Sequence, residues 1–165
     1  MREDLRGDVK PRAFVRLDTP AKAFVRRMTA DDIEWALSIG RHYYEGRYDE
    51  QGVRLWLHAR LAHPTMILLR SEHAVGIAHL GEHYHSPGHV QAFLTLLYAE
   101  PGNYGREILR IVEAIRDWAV EKKCSKFWAS DITGYDLGAL LKIIGGRTAG
   151  HTYVVDLDGD PFALG

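Results

Sequence analysis

The sequence has a single cysteine, Cys124, among its 165 residues, so no disulfide can form within one chain. Chains without a disulfide framework are typical of reducing compartments, and we expect a cytoplasmic protein. No apolar run approaches the roughly 20 residues that a membrane-spanning helix requires, so we expect no membrane partner. The first twelve residues are charged throughout and have no apolar centre, which is unlike a signal peptide.

Excess charge of one sign is also missing, because the formal net charge is only -1. Sequence-independent binding to nucleic acid needs a basic face, and this balance argues against such a partner. The composition that is present is ordinary for a globular protein, with 46% hydrophobic and 26% charged residues. The length suits one domain with its own hydrophobic core.

Residues 1–22 differ from the rest of the chain. They mix charges of both signs with two prolines, and they show neither helical nor strand periodicity. Such a segment does not fold alone, so we expect an extended N-terminal arm in front of a domain at 23–165. Because ordering the arm costs backbone entropy, we expect it to bury Phe14 and its neighbours on another subunit, in a homo-oligomer or a larger assembly.

The domain alternates apolar strand patterns with helices that have one apolar face. Thr29 is placed to cap the first helix, and Asp31 and Asp32 fall in the first turn, where the helix dipole favours acids. A three-strand meander followed by a strand–helix–strand crossover predicts a mixed, mostly antiparallel α/β sheet with helices on both faces. The expected strands are 23–28, 65–71, 74–85, 89–99, 125–130 and 151–157, and the later helices are 50–62, 105–123 and 135–144.

The stretch "AEPGNYGREILR", residues 99–110, joins the fourth strand to a long helix. A strand that ends in a glycine-bounded turn and leads directly into a helix leaves several backbone N–H groups free at the helix N-terminus. With the helix dipole behind them, these groups form a site for a phosphate or pyrophosphate. The alternative is a plain tight turn of the kind that many α/β domains contain.

The element order and this turn together resemble the GNAT superfamily of acyl-CoA-dependent N-acetyltransferases, over about residues 23–157. The family's pyrophosphate loop follows a Q/R-x-x-G-x-G/A pattern, and here Glu100 replaces the first residue and Asn103 the central glycine. The resemblance implies acetyl-CoA as co-substrate, with its pantetheine arm along the fourth strand. The residues that it assigns to the cofactor are Leu97, Tyr98, Gly102, Asn103, Tyr104, Gly105 and Arg106.

The last helix gives a second match to the family, in the segment "ALLKIIGGR". Leu141 stands where the family has a tyrosine that protonates the departing thiolate, so the usual acid is missing, and Tyr135 and Tyr98 are the candidates to replace it. The longer segment "TGYDLGALLKIIGG" also looks like GNAT-like proteins encoded near structural genes of tailed bacteriophages.

Direct attack of an amine on the thioester, as the family's mechanism implies, needs a base for the amine. Glu82, His83 and His85 lie near the turn of the meander and are the candidate bases. His79 and His89 extend this group into a histidine cluster, in which a turn at 86–88 would bring residue 85 opposite residue 89. Such a cluster suits Zn²⁺ or Fe²⁺, but no carboxylate or cysteine completes a recognised spacing, and we expect no metal.

Aromatic residues allow two interpretations. In GNAT enzymes the region of Tyr43, Tyr44 and Tyr48 covers the acceptor site, and the alternative is that these rings pack the helices against the sheet. The tryptophans and Cys124 are interpreted as packing residues.

Three functions remain open from the sequence. The first is an N-acetyltransferase that acts on a small-molecule or protein amine through an altered acetyl-CoA loop. The second is a non-catalytic GNAT-fold structural or adaptor component of a bacteriophage virion or another assembly, tethered by its arm. The third is an enzyme acting on nucleobases, similar to the phage Mom proteins, against which the net charge of -1 argues.

Overall fold

A computed structural model of the chain describes residues 25–44, 48–84, 86–130 and 137–147. The strands are β1 (Arg26–Arg27), β2 (Met66–Arg70), β3 (Ala74–Glu82), β4 (Val90–Ala99) and β5 (Phe127–Trp128). The helices are α1 (Ile33–Tyr44), α2 (Glu50–Arg60), α3 (Gly105–Glu121) and α4 (Leu137–Ile143), and a 3₁₀ turn (Ala30–Asp32) precedes α1.

The five strands form one sheet in the order β1-β2-β3-β4-β5. All neighbours are antiparallel except β4 and β5, which are parallel and joined by the α3 crossover. The expected mixed, mostly antiparallel sheet is therefore confirmed. The predicted arm at 1–22 and the predicted last strand at 151–157 lie outside the described residues.

Several elements are shorter than the sequence patterns predicted. The first strand, expected over 23–28, is the two-residue β1, because the chain then turns into the 3₁₀ segment. The strand expected over 74–85 ends at Glu82, where a turn closed by Ser86 N–H donating to His83 O begins. The strand expected over 125–130 pairs with β4 only at Phe127 and Trp128.

A hydrophobic core lies on each face of the sheet. The prediction that helices cover both faces is therefore confirmed. On one face α3 and α4 cover a core around the fully buried Trp118 and Leu137, with Ile67, Leu69 and Leu97 from the strands. On the other face, α1 and α2 bury Met28, Ile33, Leu37, Ile39, Leu57, Leu68, Val75, Ile77 and Tyr98. Trp118 alone of the four tryptophans is fully buried, and the other three are partly exposed where they meet polar partners.

Gly76 sets how closely α3 approaches the sheet. A Cβ atom at this position of β3 would lie 2.3 Å from Cγ2 of Ile111 on α3. No side chain fits there without moving the helix. The absence of a side chain therefore lets the buried face of α3 lie directly on the middle of the sheet.

The buried carboxylate of Asp32 holds β1, the 3₁₀ turn and β2 together. Asp32 is 4% exposed, and its oxygens accept hydrogen bonds from Arg26 at 2.6 and 2.8 Å, from Arg70 at 2.8 Å and from the N–H of Thr29 at 2.8 Å. Burial alone would raise the pKa of Asp32, but the hydrogen bonds from Arg26, Thr29 and Arg70 outweigh it and hold the pKa well below its ordinary range. One side chain thus joins β1, the 3₁₀ turn and β2.

We expect Asp32→Asn to lower the free energy of unfolding at pH 7 by about 2 kcal/mol, because a buried charged acceptor loses its ion pairs. A carboxyl with a depressed pKa stabilises the fold above its unfolded pKa of about 3.9, and this stabilisation is lost as the pH falls through the lower folded value. The gap between wild type and variant in urea denaturation should therefore narrow below about pH 4.

Asp31→Asn is the matched control, since this neighbour in the same turn is exposed. A loss of stability as large in the control as in Asp32→Asn, or a gap that does not depend on pH, would contradict the role given to Asp32.

Candidate active site

The parallel strands β4 and β5 diverge after a short contact. Their ladder consists of Ala92 opposite Phe127 and Phe93 opposite Trp128. Beyond Phe93, residues 94 and 96–98 of β4 pair with β3 on one side, and within the described residues they have no strand partner on the other. The β5-facing edge of β4 is therefore open there, and we call this open edge the β4–β5 cleft.

A β-bulge at Thr95 accompanies this divergence. Ile77 of β3 lies opposite Leu96, but Ala78 lies opposite Leu94, so Thr95 is an extra residue on β4. Before the bulge, the N–H of Ala92 donates to Lys126 O next to β5, whereas after it the N–H of Glu100 donates to His73 O next to β3. The bulge therefore changes which backbone groups of β4 point into the cleft.

The open end of the cleft lies where β4 leads into α3. The N-cap residue of α3 is Tyr104, whose side chain makes no capping hydrogen bond, and the first α3 amide with a backbone partner is that of Ile108, which donates to Tyr104 O at 3.0 Å. Gly102 has a φ of 141°, a conformation that side-chain-bearing residues rarely adopt. The amides of the first turn, residues 105–107, are thus free to donate to an anion.

Contacts with Ser71 and His73, in the loop between β2 and β3, support this turn. The ring of Tyr104 stacks on His73, with centroids 4.2 Å apart. Glu107 accepts from the N–H of His73 at 2.8 Å and from Ser71 Oγ at 2.5 Å, and its other oxygen lies 2.8 Å from His73 Nδ1. Burial raises the pKa of Glu107, but these hydrogen bonds outweigh it and lower the pKa, while the same contact raises the pKa of His73.

Glu100, which departs from the GNAT loop pattern, is held by a tryptophan. The indole Nε1 of Trp35 on α1 donates to Glu100 Oε1 at 2.7 Å. The guanidinium of Arg70 lies 3.7 Å from the Trp35 ring centroid and also bonds to Asp32. The Glu100 side chain is thereby tied to the α1 layer, whereas the free amides belong to α3 on the opposite layer.

A tyrosine cluster lines the same end of β4 on the α1 face. Tyr43 stacks on Tyr98 with centroids 4.7 Å apart and donates its hydroxyl to Ala99 O at 3.0 Å. The hydroxyls of Tyr44 and Tyr98 are hydrogen-bonded to each other. Burial raises the pKa of Tyr48 to about 12 and, together with the Tyr44 contact, raises that of Tyr98 further, so both phenols stay protonated at neutral pH.

A second group of side chains surrounds the closed end of the cleft, and we call it the cleft-end cluster: His79, His83, Phe93, Thr95 and Trp128. Phe93 stacks between the imidazoles of His79 and His83, and the His83 ring lies 4.8 Å from that of Trp128. His79 Nδ1 lies 2.8 Å from the hydroxyl of Thr95.

A buried amide lies beneath the cleft-end cluster. Gln91 on β4 is fully buried, and its Oε1 accepts a hydrogen bond from the indole of Trp128. Its Nε2 has no hydrogen-bond partner among the described residues. The floor of the cluster therefore offers an unused donor, which a buried side chain rarely leaves unpaired.

The structure brings the predicted cofactor residues together, since Leu97 to Arg106 follow one another around the open end of the cleft. Glu82 and His83 lie at the opposite end of the sheet. Glu82 pairs with Val90, eight positions before Tyr98 on β4, or roughly 26 Å of extended strand. The predicted bases are thus not adjacent to Tyr98.

The other two sequence-based candidates have different outcomes. Tyr135 lies outside the described residues. Leu141, at the position of the family's tyrosine, packs with Leu140 and Ile144 against the α3 core. No hydroxyl is therefore supplied by that position of α4.

The expected pairing of residues 85 and 89 in the histidine cluster stays a prediction, because residue 85 lies outside the described residues. The last described pair of the hairpin is Glu82 with Val90. Among the residues that the structure does describe, no group of three metal-ligating side chains is close enough to hold an ion.

Sequence reasoning missed two residues. The sequence indicates only a packing role for Trp35, because nothing in it links this residue to Glu100, 65 positions away. It indicates only metal binding for His79, because the bulge that brings it to Thr95 has no sequence signature. The alternation of side chains along β3 predicts which face of the sheet carries His79, but it does not predict the contact with Thr95.

Comparison with solved structures identifies the architecture. An aminoglycoside 6'-N-acetyltransferase from Acinetobacter haemolyticus superposes with a TM-score of 0.62 at 16% identity, covering 82% of this chain and 99% of that one. A putative acetyltransferase from Agrobacterium tumefaciens gives 0.64 at 14% identity, covering 81% and 99%. The chain has the GNAT fold.

An acetyl-CoA complex is also among the structures with this fold. It is a predicted acetyltransferase from Clostridium acetobutylicum, with a TM-score of 0.61 at 16% identity, covering 80% of this chain and 94% of that one. No family model and no curated protein matches the sequence. Within the described residues of this GNAT-fold chain, no helix is long and apolar enough to span a membrane.

The contact between His73 and Glu107 predicts a measurable titration. In Glu107→Gln, the pKa of His73 should fall towards its ordinary value of about 6.5, because the anionic partner is lost. A raised histidine pKa stabilises the fold below about pH 6.5, and this stabilisation disappears as the pH rises through the folded value. The measurement is an NMR titration of the imidazole Cε1–H signals.

His79 serves as an internal control in the same spectra, since its ring nitrogen contacts Thr95 and not Glu107. A His73 titration that is identical in wild type and variant would show that the contact does not form in solution.

Proposed function

We propose that this protein is an acyl-CoA-dependent N-acetyltransferase that uses acetyl-CoA to acetylate a small-molecule amine. The observation that carries the proposal is the β4–β5 cleft, which begins at the free amides of α3 and closes at Phe93 and Trp128. A phosphate-binding helix terminus that leads into an open strand edge suits a ligand with a pyrophosphate at one end and an amide-bearing arm.

In this proposal the pyrophosphate lies on the N–H groups of residues 105–107. Arg106 is exposed in the same turn and adds positive charge beside them. The pantetheine arm then runs along β4 past Leu97 and Tyr98, and its amides take the place of the missing strand partner. The thioester reaches the closed end of the cleft, where the amine nitrogen attacks the carbonyl carbon.

Two considerations support a small-molecule amine as acceptor. Two of the proteins with this fold are aminoglycoside N-acetyltransferases, from Acinetobacter haemolyticus and Acinetobacter baumannii. The cleft-end cluster also presents partly exposed aromatic rings next to the expected thioester position, as concave small-molecule sites commonly do. The phenol of Tyr98, whose pKa is raised by burial, is the described candidate for the acid that Leu141 does not supply.

The reaction is tested directly by incubating the protein with acetyl-CoA and one of three amines: kanamycin, spermidine or 2-phenylethylamine. Release of free CoA thiol is followed with a thiol reagent, and the acetylated amine is identified by mass spectrometry. Binding of acetyl-CoA is measured separately by calorimetry. A protein that binds no acetyl-CoA at millimolar concentration would overturn the proposal.

Gly105→Val tests the anion site. A Cβ at Gly105 would contact only Asn103 Oδ1, at 3.9 Å, so the variant should fold normally while its side chain blocks close approach of a phosphate. Acetyl-CoA affinity should fall by ~10-fold or more, which corresponds to ~1.4 kcal/mol. Ala59→Val adds the same kind of bulk on an exposed part of α2 and should leave affinity unchanged.

Trp35→Phe tests whether Trp35 restrains Glu100. The variant removes the indole donor but keeps a ring for Arg70, so the freed carboxylate should repel the pyrophosphate and weaken acetyl-CoA binding by roughly fivefold, or ~1 kcal/mol. In a Glu100→Gln background the same substitution should have almost no effect, because no charge remains to release. Equal losses in both backgrounds would mean that Trp35 acts in another way.

A further inference from the structure

One ring nitrogen of His79, Nδ1, contacts Thr95, and the other, Nε2, has no hydrogen-bond partner among the described residues. His79 lies on β3 opposite Phe93, on the face of the sheet that carries α1 and α2. Its Nδ1 is 2.8 Å from Thr95 Oγ1, and its ring stacks on Phe93 with centroids 5.3 Å apart. When Nδ1 carries the proton and donates to Thr95, the lone pair of Nε2 is free.

The position of Thr95 connects this imidazole to the cleft. Thr95 is the bulge residue of β4, two positions beyond the last pair of the β4–β5 ladder. A ligand that enters at α3 and follows β4 cannot pass Phe93 and Trp128, because the strands rejoin there. The acyl end of acetyl-CoA, if bound as proposed above, therefore stops beside Thr95 and His79.

We propose that His79 is the proton acceptor for the attacking amine, and that Thr95 fixes the orientation of its ring. This inference rests on the proposed function. The amine nitrogen forms a bond to the thioester carbonyl carbon, the carbon–sulfur bond breaks, and CoA leaves as a thiolate. The proton lost by the amine passes to Nε2 of His79 and then to solvent, which also returns a proton to the thiolate.

The surroundings keep the imidazole in its neutral form. Burial lowers the pKa of His79, so it is uncharged and able to accept a proton at neutral pH. The described titratable groups on or next to the flanking strands are Glu82 at the end of β3, His83 just after it, Tyr98 farther along β4, Arg70 at the end of β2 and His63 just before β2. No carboxylate or guanidinium among the described residues pairs with His79, so nothing there holds a positive charge on it.

Position separates His79 from the bases predicted from the sequence. Glu82 is exposed at the end of β3, and its partner Val90 lies five residues before the bulge. His83 lies beyond β3, with its ring against Trp128 and Phe93. Among the described residues, His79 is the histidine whose ring nitrogen is hydrogen-bonded to the bulge residue, and residue 85 lies outside them.

The first test needs no acceptor and uses diethyl pyrocarbonate, which modifies neutral imidazole nitrogens. Carbethoxylation of each histidine is followed by peptide mass spectrometry in the free protein, with saturating acetyl-CoA, and with ADP, which lacks the pantetheine arm. We expect acetyl-CoA to slow modification of His79 by ~10-fold or more and ADP to leave it unchanged, since only the arm reaches the cluster. His58, exposed on α2, should react at the same rate throughout.

The second test is kinetic. In His79→Gln, kcat for whichever of the three amines is acetylated should fall by ~10²–10⁴-fold, with acetyl-CoA affinity by calorimetry unchanged. If wild type acetylates none of them, hydrolysis of acetyl-CoA is the measured reaction, because the same base would deprotonate water. The acidic limb of the wild-type pH profile should be absent from the variant, and His58→Gln should keep both rate and profile.

The outcomes separate the two proposals. A protein that binds no acetyl-CoA overturns the proposed function and this inference with it. A protein that binds acetyl-CoA but leaves His79 equally reactive, or a His79 that never reacts in the free protein, overturns this inference alone. A His79→Gln variant that keeps the wild-type kcat and the acidic limb of the pH–rate profile also overturns this inference. It would show that the contact of His79 with Thr95 has only a structural role at the bulge.

Discussion

The one extra residue that Thr95 adds to β4 is the constraint on which the candidate site depends. A β-bulge bends its strand and increases the local twist, and the β4–β5 ladder ends two positions before the bulge. The bulge also reverses which backbone groups of β4 point to β3 and which point into the cleft. The cleft, its polar edge and the contact between Thr95 and His79 all follow from that insertion.

The second determinant of the candidate site is how the chain accommodates a carboxylate next to the turn proposed to bind an anion. Glu100 is one residue beyond β4, where its backbone is held by His73, and its side chain is turned to the α1 layer by Trp35. Trp35 is itself stacked under Arg70, which is bonded to the buried Asp32. The negative charge of Glu100, which the loop pattern would not favour, is thus held away from the turn. The contacts that hold it continue through Trp35 and Arg70 to Asp32, which is also bonded to β1.

The fold could be predicted from the sequence because its signals are local. The helical spacing of Ile108, Ile111, Val112 and Ile115, and the glycine-bounded turn before them, predicted α3 and its free N-terminus. The candidate site was predictable only where it is contiguous in sequence, around 97–106. The partnerships of Trp35 with Glu100 and of His79 with Thr95 join distant positions through the register of the sheet and the bulge, and hydrophobic periodicity contains neither.

The unpaired edge of β4 has a consequence for how the protein behaves without ligand. Residues 94–98 carry the apolar stretch "LTLLY", and their β5-facing backbone groups have no strand partner among the described residues. An open edge in the interior of a sheet is a place where a strand from another molecule can add. In the proposed complex the pantetheine arm occupies the same hydrogen-bonding groups and competes with self-association through this edge, which would make resistance to aggregation depend on the acetyl-CoA concentration.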